Sequence, residues 1–249
     1  MRFFNAAERS GFATFRLNLA FGFSAHSMLA GQSHGEIHQP ETDMSFLSSF
    51  ARLAAPIALV ALAAPAVGAD VGVEQVERSL AATQTMMASF IQTNGKGQQL
   101  SGQMTLKRPG RARFDYGSAA NMLMVADGTN LYFLDYAVGQ KSRWPIAKSP
   151  LGPLLSGNPD LQRIARPMPA QDPRVVLLRV RDARRPEFGT LILAFVRQAS
   201  APGGLQLEGW TAIDAQNKKT TVKLDQQRYN VAVPDSAFQF AEPKKRGRA

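Results

Sequence analysis

The chain has 249 residues, a formal charge of +10 and no cysteine, so disulfides and thiolate metal sites are excluded, and the surface is one that attracts acidic partners. All three histidines, His26, His34 and His38, precede residue 44. Beyond that point Ser-His-Asp and Cys-His nucleophiles and imidazole-bound zinc are ruled out by residue type.

A secretory signal is expected over residues 44–69. Arg52 supplies the positive charge, Leu53 to Val67 form an alanine-rich apolar run, and Val67-Gly68-Ala69 offer the small residues of a cleavage site. The run is shorter than the ~20 residues that span a bilayer, and Pro56 and Pro65 interrupt it. Residues 1–43 precede a complete signal with its own methionine, so they are expected to be a lead outside the mature protein. Cleavage after Ala69 leaves one domain over 70–243 and a basic tail, 244–249. Export argues against nucleic acid as a partner, and solvated strand faces account for most of the basic residues.

In the mature part, Val71 to Ala82 has the spacing of an amphipathic helix, with Val73, Val76 and Leu80 on one side. From Met86 the period changes to two, and Met87, Ser89, Ile91 and Thr93 alternate with Ala88, Phe90 and Gln92 as a first strand. Leu100 to Lys107 and Arg111 to Tyr116 flank Arg108-Pro109-Gly110 and predict a hairpin. Its apolar face holds Met104, Leu106, Ala112, Phe114 and Tyr116, and its other face is charged. Asn121 to Ala126 and Leu131 to Tyr136 form a further pair around Asp127-Gly128. The first of these is apolar on both faces, so cover is expected on both sides.

Gln140 to Trp144 predicts a short strand. Ser149 to Gly157 interrupts the pattern, and Pro159 to Ile164 predicts a short helix capped by Asn158. After the proline-rich Arg166 to Pro169, strands are predicted at Arg174 to Arg181, Thr190 to Arg197, Leu205 to Asp214 and Lys218 to Tyr229, with a last one at Phe238 to Phe240. The expected fold is mainly β with covering helices (α+β). An antiparallel sheet of about ten to eleven strands must curl or close, and its concave face must then be filled by side chains, helices or a guest.

Five methionines, Met86, Met87, Met104, Met122 and Met124, fall within the first four strands, where flexible thioethers suit a surface that fits varied apolar ligands. Methionines on strands are more often ordinary core than cavity lining. Arg108 is either a turn charge or a donor of fixed hydrogen bonds to the carbonyl end of a helix. Carboxylates are left for acid-base work, yet Asp115, Asp127, Asp135 and Asp214 all sit at strand ends or turns, and no pair stands out. No enzymatic site, cofactor or metal is expected.

The ordered set Phe90-Ile91-Gln92, Gly102, Leu106-Lys107-Arg108-Pro109, Phe114, Tyr116, Val125-Ala126-Asp127-Gly128, Leu131-Tyr132-Phe133, Gln140, Ser149-Pro150, Leu154-Leu155 and Phe238-x-Phe240-x-x-Pro243 resembles the LolA family, periplasmic carriers of outer-membrane lipoproteins. The resemblance implies a single unclosed antiparallel β-barrel with an N-terminal helix and a lid, whose apolar interior holds acyl chains. It implies that Arg108 latches the lid, and that Met104, Leu106, Phe114, Tyr116, Met122, Met124, Phe133, Leu151, Leu154 and Leu155 contact lipid. The implied partners are acylated lipoproteins, an inner-membrane ABC transporter that releases them, an outer-membrane acceptor and, transiently, anionic membrane surfaces. The protein is expected to be soluble, since a lipid-anchored receptor of this fold would need a cysteine at its mature N-terminus, and a monomer is expected. A sensor of stray lipid or lipoprotein with the same fold is the alternative. Two departures stand out: Tyr136-Ala137 replaces a proline followed by an aromatic, implying a changed lining, and Gly152-Pro153 falls where the lid helix would begin.

Overall fold

A computed structural model describes residues 70–149, 151–157 and 160–244. The expected lead and signal, residues 1–69, lie outside them, as does the tail from residue 245. The chain opens with helix α1 (Asp70–Ala82) and continues into β1 (Thr85–Asn94), β2 (Gln99–Lys107) and β3 (Arg111–Asp115). The turn helix α2 (Gly117–Ala120) leads to β4 (Met122–Asp127), β5 (Asn130–Asp135) and β6 (Gln140–Pro145). A 3-10 turn (Ile146–Lys148) and the one-turn helix α3 (Gly152–Leu155) precede β7 (Ala165–Met168), β8 (Val175–Val180), β9 (Thr190–Arg197), β10 (Leu205–Ile213) and β11 (Lys219–Tyr229).

All eleven strands form one sheet, every neighbouring pair antiparallel, in the order β6-β5-β4-β3-β2-β1-β11-β10-β9-β8-β7. The sheet is a meander that pairs its first strand with its last and leaves β6 and β7 as open edges. Alternate residues of ten strands, from Met86 and Phe90 in β1 to Leu224 in β11, meet in one buried cluster, which only a curled sheet allows. Register shifts at Met87/Ser89 and Leu207/Gly209 add local bend.

Helix α1 lays Val73, Val76 and Leu80 against this cluster. Ser79 donates to the Leu205 carbonyl at 3.0 Å, and the Pro202–Gly204 turn passes so close that a Cβ at Gly203 would stand 2.6 Å from the Ser79 Cα. The carboxylate of Glu77 accepts from the Leu161 backbone at 2.6 Å and from the Gln162 amide at 2.8 Å. α1 therefore fixes the chain on the far side of α3.

β4 is buried at every position from Met122 to Ala126, and its two faces have different covers. Met122, Met124 and Ala126 face the interior, while Leu123 and Val125 join Leu134, Val233 and Phe238 in an outer cluster with Tyr132, Tyr136 and Phe240. The outer cover is the C-terminal segment, residues 230–242, which crosses the back of β3–β5 as a strap. Basic side chains hold it down. Lys107 and Arg111 reach Asp235 at 2.6 and 2.7 Å, Arg113 donates to the Gln239 carbonyl at 3.0 Å, and Lys141 pairs with Glu242.

Several sequence expectations are corrected here. Residues 161–164 form a single hydrogen-bonded turn rather than the end of a helix: the Ile164 and Ala165 N–H groups both reach the Leu161 carbonyl, and from Ala165 the chain pairs with β8; Asn158 and Pro159 lie outside the described residues. The proline-rich stretch contains a strand instead, β7, where Pro167 is tolerated because the strand is an edge. No strand forms at 238–240. A 3-10 turn (Asp235–Phe238) ends there, and the segment packs through side chains without joining the sheet. Tyr136 lies in the outer cluster and donates to the Ala241 carbonyl at 3.0 Å, so that departure alters the strap contact and not the interior. The basic faces of β2 and β3 are occupied by the strap as well as by solvent.

Candidate functional site

The interior is built from the alternation itself. On β1–β5 the inward positions include Met86, Phe90, Met104, Leu106, Phe114, Met122, Met124 and Phe133, and on β8–β11 Leu178, Leu193, Phe195, Leu207, Trp210 and Leu224. The ten residues expected to contact lipid, Met104, Leu106, Phe114, Tyr116, Met122, Met124, Phe133, Leu151, Leu154 and Leu155, all belong to this one cluster. Sequence reasoning did not name Phe90, Phe195 or Trp210 for it, although the same period-two signal runs through their strands.

Aromatic rings bridge the two halves of the sheet. Phe90 meets Phe114 and Tyr116 edge-on at 5.8 and 5.1 Å, and Phe114 meets Trp210 at 6.0 Å. In this chain of rings the Tyr116 hydroxyl donates to the Gln92 side chain at 3.0 Å, and both residues are buried. Burial holds the Tyr116 phenol well above the ordinary tyrosine range.

The interior is filled. Between α1, α3 and the strands, bordered by Leu80, Met86, Met104, Leu154, Phe195 and Leu207, a hollow of about 10 Å³ remains, room for roughly one water molecule. Val73, Val76 and Leu80 of α1 and Leu151, Leu154 and Leu155 at α3 supply the filling. An acyl chain cannot enter unless one of these elements moves. Of the two, α3 is the smaller, a single turn. Gly152 and Pro153 occupy its first turn, where a missing N–H costs nothing because no acceptor awaits it.

Arg108 ties both helices to the β2–β3 turn. Its Nε donates to the Thr83 carbonyl at 2.9 Å, just past α1, and its Nη1 donates to the Ser156 carbonyl, just past α3. The backbone assists: the Arg108 N–H donates to Gln84 O at 2.8 Å and the Gly110 N–H to Leu155 O at 2.9 Å. Carbonyls at helix ends lack intrahelical donors, so these bonds satisfy groups that would otherwise be stranded. Arg108 is only 8% exposed, and burial pushes its pKa down to about 10. It remains charged at neutral pH, held by carbonyl dipoles.

A second, larger hollow of about 590 Å³ lies outside α3, between it and the loop joining β8 to β9. Among the described residues no three His, Cys, Asp or Glu side chains gather as metal ligands, and no helix is long and apolar enough to cross a membrane.

These features define a half-barrel whose greasy interior is stoppered by its own helices, both of them tied by a buried arginine. The family model described as "Outer membrane lipoprotein carrier protein LolA" matches residues 81–241, and the chain belongs to that family. Two relatives, both described as outer-membrane lipoprotein carrier proteins, extend the match. The protein from Methylobacillus flagellatus is 30% identical over 202 residues, covering 77% of this chain and 95% of the relative. That from Chromobacterium violaceum is 28% identical over 204 residues, covering 78% and 94%. A LolA superfamily protein of known structure from Nitrosomonas europaea is 12% identical with a TM-score of 0.42, covering 70% of this chain and 99% of that one.

Proposed function

We propose that the protein is a periplasmic carrier that shelters the acyl chains of lipoproteins and moves them from the inner to the outer membrane. Membership of the family of lipoprotein carriers supports this reading. The observation that carries the physical mechanism is the largely apolar interior closed by a one-turn helix that Arg108 tethers. At ~0.8 kcal/mol per methylene, a long acyl chain costs on the order of 10 kcal/mol to expose to water. A covered interior removes that cost during transit.

In this reading the interior side chains are a replaceable filling. Release of Arg108 from Ser156 frees α3, Leu151, Leu154 and Leu155 swing out, and acyl chains take their places against Met104, Leu106, Phe114, Tyr116, Met122, Met124 and Phe133. When the chains leave, the same leucines return and Arg108 re-forms its bonds, which drives unloading. The carrier itself breaks no covalent bond. An inner-membrane ABC transporter would supply the cargo and an outer-membrane acceptor would receive it, while the basic surface favours approach to anionic membranes.

The test is to incubate the purified protein with spheroplasts. A triacylated lipoprotein should leave the membrane in a one-to-one complex with the carrier. Lipoprotein that stays with the spheroplasts at every carrier concentration would overturn the proposal.

A further inference from the structure

The hollow outside α3 has the make-up of an amphiphile site. Its floor is apolar, formed by Ile146, Leu155, Ile164, Val180 and Leu191 with Phe188 beside them. Its volume, about 590 Å³, falls in the ordinary range of ligand pockets. Arg181 and Arg185 stand exposed at its rim. Arg185 donates to the Ala147 carbonyl at 3.0 Å and sits 5.5 Å from the centre of the Phe188 ring. Asp182 also borders the hollow, but one of its oxygens accepts the Arg184 backbone N–H at 2.9 Å. The charged residues that line the hollow are Arg181, Arg185 and Asp182, two cations against one carboxylate.

We infer that this hollow binds an anionic glycerophospholipid, with its phosphate on Arg181 and Arg185 and its first methylenes over Leu155 and Phe188. A free inorganic anion would gain nothing from the apolar floor, and a neutral lipid nothing from the arginines. The pairing of the two features selects a charged head on a greasy tail. Arg185 links this site to the lid, because Ala147 lies in the 3-10 turn that leads into α3. A phosphate is a charged acceptor, and its hydrogen bonds are stronger than those of a neutral carbonyl. A bound head group therefore draws Arg185 away from Ala147 and loosens the start of the lid at the membrane surface. That last step rests on the carrier reading, in which α3 is the element that moves; head-group binding does not.

The probe is a fluorescent-tailed phosphatidylglycerol titrated into the purified protein, with the phosphatidylcholine analogue as its zwitterionic counterpart. Phosphatidylglycerol should bind about tenfold more tightly, and Arg181→Gln with Arg185→Gln should erase that preference. A control pair on the exposed side of β11, Lys219→Gln with Lys223→Gln, lowers the net charge equally and should leave the preference intact. Equal binding of the two lipids, an equal loss in the control pair, or full displacement by millimolar inorganic phosphate would each overturn the inference. Both arginine positions are exposed, so the groove pair should keep the wild-type unfolding temperature, which checks the fold. Lipoprotein release from spheroplasts by the groove pair reads the carrier function separately. Release that persists while lipid preference is lost supports both proposals, and release by a protein that never prefers phosphatidylglycerol removes only this one.

Discussion

The Arg108 Nε lies 2.9 Å from the Thr83 carbonyl oxygen while the other end of the same guanidinium holds Ser156, so one side chain joins the ends of two helices that share no sequence neighbourhood. Each helix plugs one part of the interior. Losing this residue should therefore affect closure more than the packed sheet.

Arg108→Leu tests that directly. The variant keeps an apolar body in the turn but strands the Thr83 and Ser156 carbonyls, which find water if α3 swings out. It should still take up lipoprotein from spheroplasts, yet pass at most about a tenth of the wild-type amount to outer-membrane acceptor in a fixed time, since the drive to reclose is gone. Unchanged transfer would remove Arg108 from the mechanism. Arg108→Lys, with one compact donor group in place of a fork, should fall between the two.

The alkaline limb of stability separates Arg108 from Tyr116, because burial acts on them with opposite sign. Tyr116 titrates above its ordinary value of 10.0. Below that pH folded and unfolded chains both keep the proton, and above it the unfolded chain loses it first, so stability falls by about 1.4 kcal/mol per pH unit. Arg108 titrates below its ordinary value, at about 10. From there up to the ordinary arginine range the unfolded chain binds more protons, and stability rises with a similar slope. Tyr136 and Tyr229 are also raised and give a background common to all variants. Against wild type, urea midpoints measured from about pH 9 to 11.5 should fall less steeply in Tyr116→Phe and more steeply in Arg108→Leu. Parallel curves would contradict the burial of both groups.

Much of the sheet was legible because its signal is local. Met104, Leu106, Phe114 and Tyr116 alternate with polar or charged neighbours, and the period of two fixes which side faces inward once a core exists. Asp127-Gly128 marks its turn for the same reason: Gly128 has φ +106. What was not legible depends on distant partners. The turn at 161–164 gives way to a strand because Ala165 pairs with Val180 of β8, and no helix propensity in 159–164 reveals that. Phe238 and Phe240 read as a strand by composition, but the back of β4 offers them side chains and no free strand edge. Arg185 carried no motif at all; only the fold brings it to Ala147.

Gly102 shows a constraint that sequence marks only as a missing side chain. A Cβ there would stand 2.2 Å from the Asp115 carbonyl and 2.8 Å from the Phe90 ring. The ring can shift, but the carbonyl belongs to the paired backbone of β3. Gly102→Ala should cost about 2–3 kcal/mol by forcing the strands apart, seen as a drop of several degrees in the unfolding midpoint. Because Phe90 is linked through Phe114 to Trp210, tryptophan fluorescence should change in the folded variant as well. A variant with wild-type stability would mean that β2 and β3 do not approach this closely.

The strap poses the last question, because its cover of Leu123, Val125 and Leu134 is held by two unlike forces. Phe238 is 7% exposed and carries the apolar part, and Phe238→Ala should cost about 3–5 kcal/mol if the whole segment is docked. The polar part is Asp235, exposed between Lys107 and Arg111, whose hydrogen bonds and charges hold its carboxyl below the usual carboxylate range. A depressed carboxylate contributes stability that is present above its unfolded pKa and lost as pH falls through its folded value. At neutral pH Asp235→Asn should therefore weaken protection of the strap's amides from hydrogen exchange, and in acid it should match wild type. Salt should erode the Asp235 effect and leave the Phe238 effect intact, since exposed pairs are screened and burial is not. Equal salt sensitivity of both variants would show that the strap is held by charge alone, and the outer face of β4 would then be a surface the chain covers only loosely.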